Sequence, residues 1–124
     1  MEFLGLSLIT ENVPKLVSFY EKIFRVKAEG NEIHSTLQLN GLVLSIYSKE
    51  ASINDMGFSY HENANYGHTT LMFLVKSADD EYSLLKDEDI DFITVPTEYP
   101  WNTKAFHFRD PDGNIIDFVE RLKK

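Results

Sequence analysis

The chain has 124 residues, enough for one compact domain or for two small half-domains that share a core. Hydrophobic residues make up 43% of it, which excludes a disordered chain, yet no apolar run approaches the ~20 residues that span a bilayer. The absence of cysteine excludes disulfides and thiolate chemistry. A net charge of -8 argues against general nucleic-acid binding, and it either favours a cationic ligand or serves solubility alone.

The first half of the chain is predicted to form a strand, a helix and a hairpin. The N-terminal stretch MEFLGLSLITEN lacks the basic region and the cleavage site of a signal peptide, so we expect a cytoplasmic protein whose first strand is LGLSLIT. Asn12 is predicted as the N-cap of a helix with Pro14 in its first turn, because apolar residues follow near helical period. Two strands, STLQLN and LVLSIYS, come next and are joined by Asn40 and Gly41, a pair typical of tight hairpins.

The second half repeats this order after a polar segment. Residues 49–66 are rich in Asn and Ser and show no periodicity, which predicts a connecting loop between a module of residues 1–48 and a module of residues 67–124. TTLMFLV is then predicted as a strand, Ser77 as an N-cap and residues 78–86 as a short helix. Three more strands are predicted at IDFITV, KAFHFR and NIIDFVE.

The register of the two halves indicates a twofold internal repeat. When Gly41 is laid on Gly113, the apolar phase of the last strands agrees and Ser45 falls on Asp117. Likewise GLSL of the first strand falls on TLMF of the second half, and the two helix caps coincide. Asp117 interrupts an otherwise apolar strand, either as an acid that faces a cleft or on the polar face of an edge strand.

Two phrases resemble a known family. The helix phrase ENVPKLVSFYEKIF and, more closely, the C-terminal phrase FHFRDPDGNIIDFVE resemble the vicinal oxygen chelate superfamily, which includes glyoxalase I, extradiol dioxygenases, fosfomycin-resistance enzymes and bleomycin-resistance proteins. DPDGN also has the composition of an ordinary turn, in which Asp bonds its own backbone and Gly takes a positive φ. The resemblance implies an α+β fold in a single domain of residues 1–124, with two βαβββ modules whose curled mixed sheets surround one cleft, assembled as a homodimer.

The resemblance also implies where a metal would lie. In the enzymes of this family, a divalent metal is held by side chains from the first and last strands of each module. The matching positions in this chain are Gly5, Ser45, Thr70 and Asp117. Only Asp117 is a good ligand, and a lone carboxylate does not supply the three protein ligands that such a site needs, so we expect no cofactor. The alternative is a divalent metal held by Asp117, His68 and His107.

The expected function is that of a small-molecule binding protein of the bleomycin-resistance type, which sequesters a cationic or aromatic ligand without a metal. A carboxylate among aromatic rings suits such a ligand through ring packing and cation–π attraction. Trp101 is the leading aromatic contact, because its YPW segment resembles the family's approach to this strand, and its other interpretation is a core or interface plug. The predicted ligand-binding residues are Ser45, Tyr47, Phe58, Tyr60, Thr70, Trp101, His107 and Asp117.

The alternative function is a metal-dependent lyase, transferase or dioxygenase of the glyoxalase type, in which the metal polarises a substrate oxygen. The sequence leaves turnover open and assigns no catalytic residue. In both interpretations the partner is a small molecule, and neither a nucleic acid nor a membrane is expected.

Overall fold

A computed structural model describes residues 1–60 and 69–123 of the chain. The helices are α1 (Val13–Phe24), α2 (Lys49–Met56) and α3 (Ala78–Leu85). The strands are β1 (Gly5–Thr10), β2 (Glu29–Gly30), β3 (His34–Leu39), β4 (Leu42–Ser48), β5 (Thr70–Leu74), β6 (Asp91–Phe92), β7 (Thr97–Tyr99), β8 (Thr103–Arg109) and β9 (Ile115–Arg121). Within the described ranges, no helix is long and apolar enough to cross a bilayer.

The chain divides into two compact units, Met1–Ala64 and Asn65–Lys124, which we call module 1 and module 2. Each contains one mixed sheet, with strand order β1-β4-β3-β2 in module 1 and β5-β9-β8-β6 in module 2, where β7 also pairs with β8. In each sheet the first and last strands of the module run parallel, and the other pairs are antiparallel. The predicted α+β class with two βαβββ modules is confirmed.

The strand register reproduces the internal repeat. Gly5 lies opposite Val43 in module 1, and Thr70 lies opposite Ile115 in module 2. Val43 and Ile115 each follow the turn glycine of their hairpin by the same number of residues, and these glycines have φ of 80° and 90°. The two helix caps are also equivalent, since the side chains of the residues preceding α1 and α3 each accept a hydrogen bond of 3.1 Å from a first-turn N–H. The alignment made from apolar phase alone is therefore correct.

The hairpin of module 1 differs in detail from the expectation. Leu39 pairs with Leu42, so Asn40 and Gly41 form the predicted two-residue turn. Among the non-glycine residues that the structure describes, Asn40 is not one of those with a positive φ, whereas Gly41 has a φ of 80°. Only the glycine therefore uses the conformation that was expected of both residues.

The predicted connecting loop of residues 49–66 is wrong at its start, because α2 occupies its first residues. The Ser48 side chain caps this helix by accepting a hydrogen bond of 3.2 Å from the Ala51 N–H, and Gly57 ends it with a φ of 70°. Ser52 is the one buried residue of α2, so the helix has no apolar stripe that periodicity could reveal. Residues 61–66 of the predicted loop lie outside the described residues.

The predicted strand IDFITV is also interrupted. It forms only the two-residue β6, and pairing with β8 resumes at β7. Between them the N–H groups of Ile93 and Thr94 both donate to the carbonyl oxygen of His107, at 2.8 and 3.2 Å, which is the pattern of a bulge. The bulge places the Thr94 side chain against His107.

The core of module 2 is aromatic and fixes which way β8 and β9 face. Phe106, Phe108 and Phe118 are buried between the sheet and α3, with ring centroids of Phe108 and Phe118 5.2 Å apart. Tyr82 of α3 meets Phe106 edge-on at 5.4 Å. Because side chains alternate along a strand, burial of these rings sends the intervening residues to the opposite, open face of the sheet.

The DPDGN turn that joins β8 to β9 is held by its first residue. The buried Asp110 carboxylate accepts hydrogen bonds from the N–H groups of Asp112 and Asn114, both at 2.9 Å, and from the Asn114 side-chain amide at 2.8 Å. The turn is therefore a structural element, as the composition predicted.

Asp110→Ala is expected to lower the free energy of unfolding by about 2–3 kcal/mol, since it leaves buried donors without their charged acceptor. Urea denaturation of the purified variant measures this loss. Asp112→Asn, at an exposed position of the same turn, is the matched control and should change stability by less than about 0.5 kcal/mol. Equal stability of both variants would contradict this role for Asp110.

Candidate functional site

The open face of the module 2 sheet carries a groove of about 350 Å³. Its floor is formed by Ala105 and Val119, which lie opposite each other on β8 and β9. His107 and Asp117, also cross-strand partners, lie at one end of the groove, which we call the acid end. Its other lining residues are Met72, Tyr99, Trp101 and Thr103.

Asp117 lies on an interior strand, because β9 pairs with β5 on one side and β8 on the other. The interpretation of Asp117 as the polar face of an edge strand is therefore wrong. Met72 and His107 flank it across the two strand pairs, and Asp117 is only 9% exposed. A carboxylate buried to this extent needs compensating partners.

His107 is the nearest charged or polar partner of Asp117. The distance between its Nε2 and Asp117 Oδ1 is 3.2 Å, which is an ion-pair separation. Oδ1 nevertheless receives no well-directed hydrogen bond from any described residue. The contact is therefore mainly electrostatic. Since Oδ1 is itself buried, it is the rest of the Asp117 carboxylate that meets the groove.

Burial raises the pKa of the Asp117 carboxyl above its ordinary value, and contact with His107 offsets part of this shift. Arg109 lies on the same sheet face beyond His107, but its Nη1 donates to the Gly113 carbonyl at 3.1 Å and its Nε is 3.9 Å from the Asp91 carboxylate. The guanidinium is thus directed to the turn and to β6. Desolvation consequently dominates the electrostatics of Asp117.

Thr94 orients the His107 imidazole. Its Oγ1 accepts a hydrogen bond of 2.9 Å from the His107 backbone N–H and lies 2.8 Å from His107 Nδ1. With that backbone bond in place, the hydroxyl proton of Thr94 is free to be donated to Nδ1. The ring proton of a neutral His107 then sits on Nε2, which faces the Asp117 carboxylate.

The end of the groove opposite the acid end is aromatic. The rings of Tyr99 and Trp101 are stacked, with centroids 5.2 Å apart and planes 9° from parallel. A tight turn holds them, in which Asn102 has a φ of 63° and donates its N–H to the Tyr99 carbonyl at 3.1 Å. Trp101 is 69% exposed in the described structure, so its interpretation as a plug in the core of its own module is wrong.

Three of the predicted ligand-binding residues, Trp101, His107 and Asp117, line one groove. Thr70 lies on the same sheet face, because it precedes Met72 by two residues on β5, but it does not line the groove. Module 1 contains the other four predicted residues, Ser45, Tyr47, Phe58 and Tyr60.

In module 1 the predicted ligand-binding residues with polar side-chain contacts make them to other residues of the same module. Ser45 Oγ lies 2.6 Å from His34 Nε2, and the His34 ring meets Tyr47 edge-on. The Tyr60 hydroxyl lies 2.7 Å from Ser52 Oγ, at the base of α2. Their role as ligand contacts stays a prediction.

The side chains at the metal positions implied by the family do not fit a metal centre within the described residues. No group of three His, Cys, Asp or Glu side chains there could hold an ion. A side chain at Gly5 would clash with the carbonyl oxygen of Val43, so packing of β1 on β4 excludes a ligand at that position. Asp117 and His107 supply two donors, whereas His68 lies outside the described residues.

Thr94 and the apolar floor of the groove were not among the predicted site residues. Thr94 falls within the predicted strand IDFITV, and a regular strand gives no sign of its contact with His107. The alternation around Asp117 could have indicated Val119 and Ala105, because they share its face by strand periodicity.

The chain belongs to the Glyoxalase/Bleomycin resistance protein/Dioxygenase superfamily, whose sequence profile matches residues 3–118. This match and the mixed sheets of both modules confirm the resemblance found in the sequence. The match defines the superfamily, whose members differ in activity.

The chain is also similar to a curated protein and to solved structures. The chain is 26% identical over 128 residues to uncharacterized protein YraH of Bacillus subtilis (strain 168), with 98% of this chain and 100% of the relative aligned. A glyoxalase/bleomycin resistance protein/dioxygenase from Nocardioides has a TM-score of 0.84 at 20% identity, covering 99% of this chain and 85% of that one. A family enzyme from Burkholderia phytofirmans PsJN has a TM-score of 0.84 at 16% identity, covering 95% and 97%. At these identities the solved structures establish the fold.

Replacing Asp117 with Asn is expected to stabilise the protein at neutral pH by about 1 kcal/mol, because it removes a buried, incompletely bonded charge. The folded pKa of Asp117 is raised, so wild-type stability falls as pH rises from the ordinary value of 3.8 through the folded pKa. The difference between variant and wild type should therefore disappear below pH 3.8. Urea unfolding as a function of pH measures this stability difference. A variant less stable than the wild type at neutral pH would contradict the conclusion that the buried Asp117 charge is destabilising.

Thr94→Val should change the tautomer of His107, since valine neither accepts from the His107 N–H nor donates to Nδ1. The measurement is the pair of imidazole ¹⁵N chemical shifts of His107. Thr94→Ser keeps the hydroxyl and is expected to restore the wild-type shifts. Unchanged shifts in Thr94→Val would show that Thr94 does not orient the ring.

Proposed function

We propose that this protein is a small-molecule binding protein of the bleomycin-resistance type, which holds a flat, cationic aromatic ligand in the module 2 groove without turning it over. The observation that carries the proposal is the carboxylate of Asp117, which lines the acid end of an aromatic groove and whose buried Oδ1 has no hydrogen-bond donor among the described residues. A ligand N–H would donate a hydrogen bond to this carboxylate from the groove.

The bond to Asp117 would supply orientation and strength. Hydrogen bonds from a cationic N–H to a carboxylate are shorter and roughly twice as strong as neutral ones. The site is only partly screened by water, since Asp117 is 9% exposed. The net charge of -8 would also raise the local concentration of a cationic ligand.

The Tyr99–Trp101 stack would supply the ring contact. An exposed, nearly parallel ring pair offers a flat surface to an aromatic ligand. A cation over such a ring gains about 0.5–2 kcal/mol. Ring packing at one end and a carboxylate at the other are two contacts for a compound that has an aromatic ring and a basic group.

The donor set favours binding over metal-dependent turnover. The glyoxalase-type alternative requires about three protein ligands, and His107 with Asp117 gives two in the described part of module 2. Stoichiometric Ni, Zn, Mn or Fe in protein purified without chelator would favour the alternative. The homodimer, the cytoplasmic location and the exclusion of nucleic acid remain predictions from the sequence.

Trp101 is the only tryptophan of the chain, so its fluorescence reports on the groove alone. Titration with a panel of cationic aromatic compounds is expected to shift its emission to shorter wavelength and to protect it from iodide quenching. Both effects follow from a ring that covers an indole now 69% exposed. No response across the panel would contradict the proposal.

Calorimetry with the best compound of the panel separates the two contacts. Asp117→Asn should weaken binding about tenfold or more, as expected for loss of a hydrogen bond to a charged group. Trp101→Ala should weaken it by about 2- to 30-fold. Asp112→Asn, which removes one exposed carboxylate outside the groove, is the control for net charge and should leave the affinity within about twofold.

A further inference from the structure

We infer that the groove selects ligands by length, and that its ligand carries an aromatic ring and a cationic N–H group separated by an apolar spacer. This inference rests on the proposed function, because it assumes that the ring lies at the Tyr99–Trp101 stack and the N–H at Asp117. It adds the chemical class of the ligand, an arylalkylamine.

The spacing of the two ends follows from strand register. Tyr99 lies opposite Thr103, and Asp117 lies opposite His107. Thr103 and His107 are on the same face of β8, and a strand rises ~3.3 Å per residue, so these two rows are about 13 Å apart. A compact planar cation is shorter than this separation and cannot make both contacts at once.

The middle of the groove is apolar and low. Ala105 lies between the two rows and pairs with Val119, and neither side chain offers a hydrogen bond. Ala105 has a small side chain and lines the groove, so a ligand can approach the sheet at this point. Methylene groups suit this surface, because each buried CH₂ contributes favourably, whereas a polar spacer would lose its hydrogen bonds to water.

The charges along the open face set the orientation of the ligand. Arg121 lies opposite Thr103 on the same sheet face, at the aromatic end of the groove. Asp117 lies at the other end. Arg109 lies beyond the acid end, but its guanidinium is directed to the Gly113 carbonyl and the Asp91 carboxylate. A cationic group is therefore repelled from the aromatic end and attracted to the acid end, so that the ring occupies the Tyr99–Trp101 stack.

The test is calorimetric titration of the wild-type protein with a homologous series from benzylamine to phenyloctylamine. Affinity is expected to rise by up to about fourfold for each added methylene, until the amine reaches Asp117, and then to level off or fall. In Asp117→Asn the gain per methylene should persist without an optimum, because the fixed contact at the acid end is weakened.

Ala105→Leu fills the middle of the groove and should lower the affinity for the optimal amine about tenfold or more. The affinity for benzylamine, which occupies one end only, should change by less than about threefold. Ser83→Leu makes a similar change on the exposed surface of α3 and serves as the control. If Ala105→Leu does not fold, the length series on the wild-type protein decides alone.

The outcomes separate the two proposals. Binding that is tightest for benzylamine, or that is independent of length, would overturn the length selection and leave the ligand-binding function standing. Failure of every amine to bind, together with a silent Trp101 in the broader panel, would overturn both.

Discussion

Burial of the aromatic side chains of β8 and β9 against α3 is the constraint on which the rest of module 2 depends. Phe106, Phe108 and Phe118 lie on the buried face of the sheet. Because side chains alternate along a strand, the opposite face carries Ala105, His107, Asp117 and Val119. A register slip of one residue would bury the acid in the core and expose the rings, at a cost that the module could not offset. The groove is thus a consequence of how the core is packed.

The price of this arrangement is a carboxylate held at 9% exposure with a raised pKa. Groups whose protonation is shifted by burial cluster at functional sites, although ion pairs made only for structure shift pKa values too. In module 2 the incomplete bonding of Oδ1 favours the functional interpretation, because His107 is oriented by Thr94 towards the acid without satisfying it. The equivalent residue of module 1, Ser45, is instead within hydrogen-bond distance of His34, so only one half of the repeat keeps a charged group at this position.

Much of the fold could be predicted because local chemistry and global packing agree. The helix caps, the hairpin glycines and the DPDGN turn each have a residue type that the backbone requires, and the apolar phase gave the repeat its register. The bulge at Thr94 was not predictable in the same way, since IDFITV has the composition of a regular strand. The interruption arises because two of its N–H groups donate to the same carbonyl of β8, a pairing that depends on the tertiary structure. Helix α2 was not predicted, because it buries only Ser52 and therefore shows no apolar periodicity. The site was predictable at Asp117, which breaks an apolar strand, and not at Thr94, whose role exists only once the bulge has formed.

The direct test of the central claim is a crystal structure of the protein, purified without chelator, in complex with the arylalkylamine that binds most tightly. The account predicts the ring stacked on Trp101, the methylene chain over Ala105 and the ammonium nitrogen within hydrogen-bond distance of the Asp117 carboxylate. A ligand bound elsewhere, or a firmly held metal ion coordinated by Asp117, His107 and a third side chain, would contradict it.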